Sequence, residues 1–159
     1  MRVFRITRDV AGEAYRLLLE AALEEASTFA LVWRDQLKFG PSAAAVRQTL
    51  RGLQVREAKR DRWPGTILAG HDASVVTYRA APEALPTLLE PGSLFAWRSP
   101  AYPEDLSFST DRGGVCLATI SHEGNAWILS ASLAAAVGNK VTLVPEALDP
   151  RDEQYFEPI

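Results

Sequence analysis

The fold class is best indicated by one stretch of the sequence, Leu106-Ser107-Phe108-Ser109-Thr110-Asp111-Arg112-Gly113-Gly114-Val115-Cys116-Leu117-Ala118-Thr119-Ile120. Its two ends, 106–109 and 115–120, are rich in the β-branched and apolar residues that strands favour. The two glycines between them supply the positive φ angles that a tight hairpin turn requires. The stretch therefore predicts an antiparallel hairpin, and with it a sheet whose pairing is mainly antiparallel.

The flanking segments add helices and further strands. Residues 3–6 and 28–33 are predicted strands on either side of a helix over 10–26, for which Asp9 is the predicted N-cap. A second helix follows Gly40-Pro41, with Ser42 as its cap. Further strands are expected at 74–79, 94–97, 126–129 and 140–144, and short helices at 82–85 and 132–137. We expect one α+β domain over residues 1–159, with a mainly antiparallel sheet and two or three helices on one face.

The composition is that of an ordinary globular protein. Hydrophobic residues make up 47% and charged residues 23% of the 159 residues, close to the averages for such proteins. Cys116 is the one cysteine, so a disulfide framework is excluded. Neither a leader peptide nor a membrane span is predicted, because charged residues follow Met1 closely and no apolar run is long enough. The expected location is the cytoplasm of a bacterium.

The net charge of −3 is unevenly divided. Residues 1–63 carry 12 Lys/Arg and 8 Asp/Glu, a net charge of +4, whereas residues 64–159 carry 5 and 12, a net charge of −7. Such a division can mark a binding surface. It can also arise by chance from a few residues.

Motifs of the common enzyme classes are missing from the sequence. It contains no phosphate-binding or dinucleotide-binding glycine loop, no Gly-x-Ser-x-Gly elbow, no His-Glu-x-x-His and no Cys-x-x-Cys. We therefore expect no cofactor and no metal, and a binding protein is favoured over an enzyme. Two imidazoles alone do not complete a metal site, which needs three or four ligands.

Both histidines precede an acid, as His71-Asp72 and His122-Glu123. An imidazole beside a carboxylate can perform acid–base chemistry. Adjacent residues of a strand point to opposite faces, however, which argues against contact within each pair. An exposed or structural histidine is the simpler interpretation of each. Cys116, within a predicted strand, is expected to be a core residue.

The loop before the hairpin combines aromatic, charged and proline residues. Trp97, Arg98 and Tyr102 offer rigid contact area and planar hydrogen bonding, which binding sites use. Glu104 and Asp105 follow, as a candidate general base pair or as contacts for a basic partner. The alternative is a loop that packs its aromatic side chains on the sheet and leaves the acids in water.

A basic run raises the question of nucleic-acid binding. It comprises Arg47, Arg51, Arg56, Lys59, Arg60 and Arg62, followed by Trp63. Glu57 and Asp61 interrupt it, and the isoelectric point near 5.4 is far below that of typical nucleic-acid-binding domains. A solvated helix face is the favoured interpretation, and a nucleic-acid partner is not expected.

Part of the chain resembles a pattern in small, uncharacterised bacterial α+β proteins. The resemblance covers Trp97-Arg98-Ser99, Tyr102–Phe108, and Ile120-Ser121-His122-Glu123 with Trp127. Some such proteins resemble immunity proteins of toxin systems, a likeness at the level of fold. The resemblance implies that the positions of interest are Arg98, Tyr102, Glu104, Asp105, His122 and Glu123.

Three functions follow as expectations. The first is a non-enzymatic protein-binding module, of immunity or adaptor type, whose binding residues are Trp97, Arg98, Tyr102, Glu104, Asp105, His122 and Glu123. The second is a small hydrolase with a site at Glu104/Asp105 and His122/Glu123, because the hairpin brings these pairs to one end of its strands. The third is nucleic-acid binding through Arg47–Arg62.

Overall fold

A computed structural model describes residues 1–157 and 159. Its strands are β1 Arg2–Ile6, β2 Thr28–Trp33, β3 Gln54–Arg60, β4 Arg62–Trp63, β5 Thr66–Ile67, β6 Ala73–Arg79, β7 Glu104–Ser109, β8 Val115–Ile120, β9 Asn125–Ile128 and β10 Leu143–Ala147. Its α-helices are α1 Gly12–Glu25, α2 Pro41–Thr49, α3 Leu85–Leu89 and α4 Ala131–Val137. Short 3-10 turns lie at Leu50–Leu53, Pro82–Ala84, Leu94–Ala96, Ser121–Glu123 and Glu153–Phe156.

Eight strands form one sheet in the order β10-β1-β9-β8-β7-β2-β6-β3, and β4 and β5 form a separate hairpin. Every pairing between neighbouring strands is antiparallel. The predicted α+β class and its antiparallel sheet are therefore confirmed, and the described residues hold four α-helices rather than two or three. Among the same residues, no helix combines the length and the apolar character needed to cross a membrane.

The main core lies between the sheet and the four α-helices. Aromatic side chains run across the sheet, because β2 pairs Phe29 with Tyr78 of β6 and with Phe108 of β7. The Phe29 ring centroid is 5.1 Å from that of Tyr78 and 5.8 Å from that of Phe108. Apolar residues of all four helices pack against this row in one cluster. Burying that apolar surface is the main force that holds helices to sheet.

The opposite face of the sheet is covered by the β4–β5 hairpin and the C-terminal segment. Trp63 of β4 is 2% exposed and packs with Val32 and Val75 of the sheet. Phe156 packs against Val115 and contacts Trp127 edge-on. The backbone N–H of Gly65 donates to the carbonyl of Tyr155 over 2.6 Å, which joins the two covering segments. Trp63 is thereby held over strands β2 and β6.

Several local predictions are wrong. Helix α1 begins after Ala11, and the Asp9 carboxylate instead accepts from the backbone N–H groups of Val10 and Phe95. Helix α2 begins at Pro41, so Ser42 is not its cap. The predicted strand at 94–97 is absent: Leu94–Ala96 form a 3-10 turn, and the segment bends toward α1 and buries Trp97 there.

The basic run is not a helix face. Arg47 lies in α2 and Arg51 in the 3-10 turn after it, whereas residues 54–60 form strand β3 at the edge of the sheet. Among the residues that the structure describes, strand β3 pairs with β6 alone. Charged residues on both faces of β3 hide the alternation by which strands are usually recognised.

Candidate functional site

A β-bulge in β7 sets the position of the two neighbouring carboxylates. Strand β2 pairs Ala30 with Ser107 and Val32 with Glu104, and the register shifts between these pairs. Asp105 has a φ of 55°, in the left-handed region that aspartate tolerates better than most residues. Bulges commonly redirect side chains beside functional sites. Here the bulge allows both Glu104 and Asp105 to reach the groups around Trp63.

Asp105 is completely buried and accepts two hydrogen bonds. Its Oδ2 accepts from the indole Nε1 of Trp63 over 2.9 Å, and its Oδ1 accepts from the backbone N–H of Ser121 over 3.0 Å. The relative exposure of Asp105 is 0%. Both donors are satisfied by this carboxylate, so Asp105 connects the β4–β5 hairpin, the bulge in β7 and the turn after β8.

The environment of Asp105 raises its pKa to about 6. Burial is the largest cause, since removal from water penalises the charged carboxylate. The N–H groups of Ser121 and Trp63 and the nearby His122 act in the opposite direction, and the charge of Glu104 adds to the increase. The carboxyl group therefore changes its charge close to neutral pH.

Glu104 forms a nearly buried ion pair with Arg34, a residue of the loop after β2. Arg34 Nε donates to Oε2 of Glu104 over 2.9 Å, and the two side chains are 14% and 10% exposed. The guanidinium carbon of Arg34 also lies 5.1 Å from the Trp63 ring centroid. The arginine therefore balances the charge of Glu104 and packs on the indole that donates to Asp105.

His122 completes the cluster from the 3-10 turn after β8. One side-chain ligand atom each from Glu104, Asp105 and His122 lie within 4.8 Å of one another. His122 is exposed, with Glu123 Oε1 at 3.8 Å from its Nε2. The prediction that the hairpin brings acid and imidazole together is confirmed. In this cluster, which we call the 104–105–122 cluster, an accessible imidazole lies beside two carboxylates that are mostly or wholly withdrawn from water.

Two shallow recesses meet at His122. One has a volume of about 310 Å³ and is lined by Arg34, Gln36, Leu37, Glu104 and His122. The other has a volume of about 420 Å³ and includes Arg98 and Glu123 together with Ser121 and His122. Each recess has one guanidinium group in its lining. The imidazole of His122 is therefore accessible from both recesses.

The cluster also provides three potential metal ligands, one from the imidazole and two from the carboxylates. Two features disfavour a cation: Arg34 already pairs with Glu104, and both oxygens of Asp105 accept hydrogen bonds from the protein. The arrangement is better suited to proton transfer, because an exposed imidazole beside a buried carboxylate can accept a proton and have the resulting charge stabilised.

The remaining predicted binding residues differ in accessibility. Trp97 is 0% exposed, and its Nε1 donates to the Tyr15 hydroxyl over 2.8 Å, which removes its ring from any surface. Tyr102 is half-buried against Trp97, with ring centroids 5.5 Å apart. Arg98 and Glu123 are exposed. The aromatic side chains of the loop therefore pack inside the protein, as the alternative to a binding loop predicts. The same alternative predicts that Glu104 and Asp105 lie in water, and this part is wrong because both are buried.

Two other residues weighed from the sequence lie away from the cluster. His71 is exposed in the loop before β6, with Nδ1 3.1 Å from the carbonyl of Ala69. Cys116 is a buried core residue, and its pKa is raised to about 12, mainly by burial and then by the charge of Glu25. A thiol in that state is not a nucleophile.

Sequence reasoning missed Arg34 and Trp63, which lie 70 residues from Glu104 and 42 residues from Asp105. Neither has a local motif, and only the pairing of β2 with β7 and the folding back of the β4–β5 hairpin bring them to the cluster. Comparison with known proteins adds no relative: no protein-family model, curated protein or solved structure matches this chain.

Proposed function

We propose that the protein is a small hydrolase-like enzyme in which His122 is the general base. One observation carries the proposal. The exposed imidazole of His122 has a ring nitrogen within 4.8 Å of carboxylate oxygens of Asp105 and Glu104, at the place where two recesses meet. A separation of up to 4.8 Å is too long for a direct hydrogen bond but is short enough for one water molecule to bridge the imidazole and a carboxylate, which supports the proposal.

In the proposed reaction, His122 accepts a proton from a water molecule in the recess. The hydroxide that results attacks the acyl or phosphoryl centre of a substrate, and the imidazolium returns the proton to the leaving group. Asp105 stabilises the imidazolium by its negative charge. No residue of the chain becomes covalently modified.

The test is hydrolysis of a panel of chromogenic substrates: p-nitrophenyl acetate, p-nitrophenyl phosphate and leucine p-nitroanilide. We expect turnover of at least one, with a loss of about 100-fold or more in His122→Asn, the range of general base catalysis. His71→Asn is the matched control, because His71 is the other exposed histidine and lies outside the cluster. Equal rates in the two variants, or no turnover of any substrate above that of free imidazole, would refute the proposal.

Protein binding stays a second proposal. An observation separate from the Trp97 loop favours it, namely the exposed strand β3 at one edge of the sheet. An immunity or adaptor role, which the resemblance implies, would be one form of such binding.

A further inference from the structure

The two edges of the eight-stranded sheet differ in how open they are. Strand β10 forms one edge and contains Pro145, which pairs opposite Phe4 and cannot donate a backbone hydrogen bond. Strand β3 forms the other edge with seven residues and no proline. Proline is a common means of blocking an edge against a further strand. Only the β10 edge carries that protection.

Strand β3 is also open in space. Five of its seven residues are exposed, and Val55 is 63% exposed. Its side chains contact neighbouring segments: Arg47 of α2 pairs with Glu57, Asp35 pairs with Lys59, and Arg56 donates to the carbonyl of Ile159. Within the described part of the chain, β6 is the one strand that pairs with β3, so the backbone groups on the outer edge of β3 have no strand partner there.

The charge of this edge selects the kind of strand that fits. Residues 51–62 contain five Lys/Arg and two Asp/Glu, and with the charged residues that pair with them, Arg47, Asp35 and Glu157, the net charge of this edge is +2. A second copy that paired its own β3 with this one would bring two positive edges together. An acidic strand would gain both main-chain hydrogen bonds and charge complementarity.

From these observations we infer that the β3 edge is a docking site for an extended acidic segment of a partner protein, which adds to the sheet as a ninth strand. This surface is separate from the 104–105–122 cluster. Main-chain hydrogen bonds provide the affinity of such complexes, and side chains on alternate faces provide their specificity.

The test uses the full chain and three synthetic peptides. The first is an acidic heptapeptide, Thr-Glu-Val-Glu-Val-Asp-Thr, the second has lysine at its acidic positions, and the third has proline at the central position of the acidic peptide. Binding is followed by changes in the amide resonances of residues 54–60 and by their hydrogen exchange. We expect the acidic peptide alone to shift these resonances and to slow exchange along β3.

Charge variants make the test specific. Arg60→Glu is expected to weaken binding of the acidic peptide by about fivefold or more, the effect of one reversed surface charge pair. Arg112→Glu, in the exposed β7–β8 turn, is the matched control and should leave affinity unchanged.

The inference is overturned if the acidic peptide does not bind at millimolar concentration, or if the proline peptide binds equally well. It is also overturned if the chain self-associates through β3, or if single-stranded RNA shifts these resonances and the peptide does not.

Discussion

The indole nitrogen of Trp63 donates to Oδ2 of Asp105 over 2.9 Å, and both side chains are almost entirely withdrawn from solvent. This bond joins a short hairpin that covers the sheet to a bulge within the sheet. The same carboxylate accepts from the Ser121 N–H at the start of the turn that carries His122. The position of the proposed general base therefore depends on a tryptophan 59 residues earlier in the chain.

Removal of the Trp63 donor should affect both stability and titration. Trp63→Phe keeps an aromatic ring but leaves Asp105 with one protein donor, so we expect a loss of about 2–3 kcal/mol in the free energy of unfolding. The pKa of Asp105 should rise, because a hydrogen bond that favours the charged form is gone. Urea unfolding and carboxyl carbon NMR measure the two effects. Trp127→Phe, at a half-buried indole that packs on Phe156, is the control and should leave the pKa of Asp105 unchanged.

The raised pKa of Asp105 makes stability depend on pH with a definite sign. Between pH 3.8, the ordinary pKa of an aspartate, and about pH 6, the raised pKa of Asp105, the folded state binds more protons than the unfolded state. The contribution of this group is therefore greatest below about pH 4 and is lost as pH rises through about 6. We expect the free energy of unfolding of the wild type, relative to Asp105→Asn, to fall by on the order of 3 kcal/mol over that interval. Urea unfolding at pH 4, 5, 6 and 7 measures this difference, and a constant or rising difference would contradict it.

The Arg34–Glu104 pair should contribute more than an exposed pair of similar chemistry. A double-mutant cycle with Arg34→Gln and Glu104→Gln is expected to give a coupling energy of about 2 kcal/mol, because the pair is nearly buried and joined by a charged hydrogen bond. Arg16 and Glu20 on α1 are the comparison, at 3.5 Å and about half exposed. Their coupling should stay below about 0.5 kcal/mol. Equal couplings for the two pairs would show that the cluster gives Glu104 no special environment.

Local patterns were sufficient to predict much of the sheet. The Asp111–Gly114 turn predicted the β7–β8 hairpin, and the hairpin in turn predicted that Glu104 and Asp105 lie near His122. That step needs only strand pairing, because both groups lie at one end of adjacent strands. The convergence of the cluster could therefore be predicted without any knowledge of distant segments.

The failures have physical causes of two kinds. Strand β3 escaped detection because its charged residues occupy both faces, so no apolar alternation is visible. Residues 94–97 are apolar enough for a strand, but burial of Trp97 against Tyr15 outweighs that propensity and turns the chain away from the sheet. Arg34 and Trp63 could not be assigned to the cluster from local sequence, since long-range pairing alone brings them there.

Gly65, in the β4–β5 turn, lies against Ile120, the residue before the turn that carries His122. Its φ is +92°, and a Cβ there would lie 3.2 Å from Cγ1 of Ile120, the last residue of β8. Gly65→Ala should therefore cost about 2 kcal/mol or more in the free energy of unfolding, from backbone strain of about 1–2 kcal/mol together with the contact. Because Trp63 is two residues away, the variant should also raise the pKa of Asp105 as the indole is displaced.

Two comparisons separate the causes of the Gly65 effect. Gly52→Ala is the matched control, since a Cβ there meets open space and the backbone has no positive φ. Gly52→Ala should raise the free energy of unfolding by about 1 kcal/mol or less, because alanine restricts the unfolded chain. In an Ile120→Ala background, Gly65→Ala should lower the free energy of unfolding only by the amount that comes from backbone strain. If the penalty is unchanged there, the contact with Ile120 contributes nothing, and if Gly52→Ala costs as much, the position of the hairpin does not depend on Gly65.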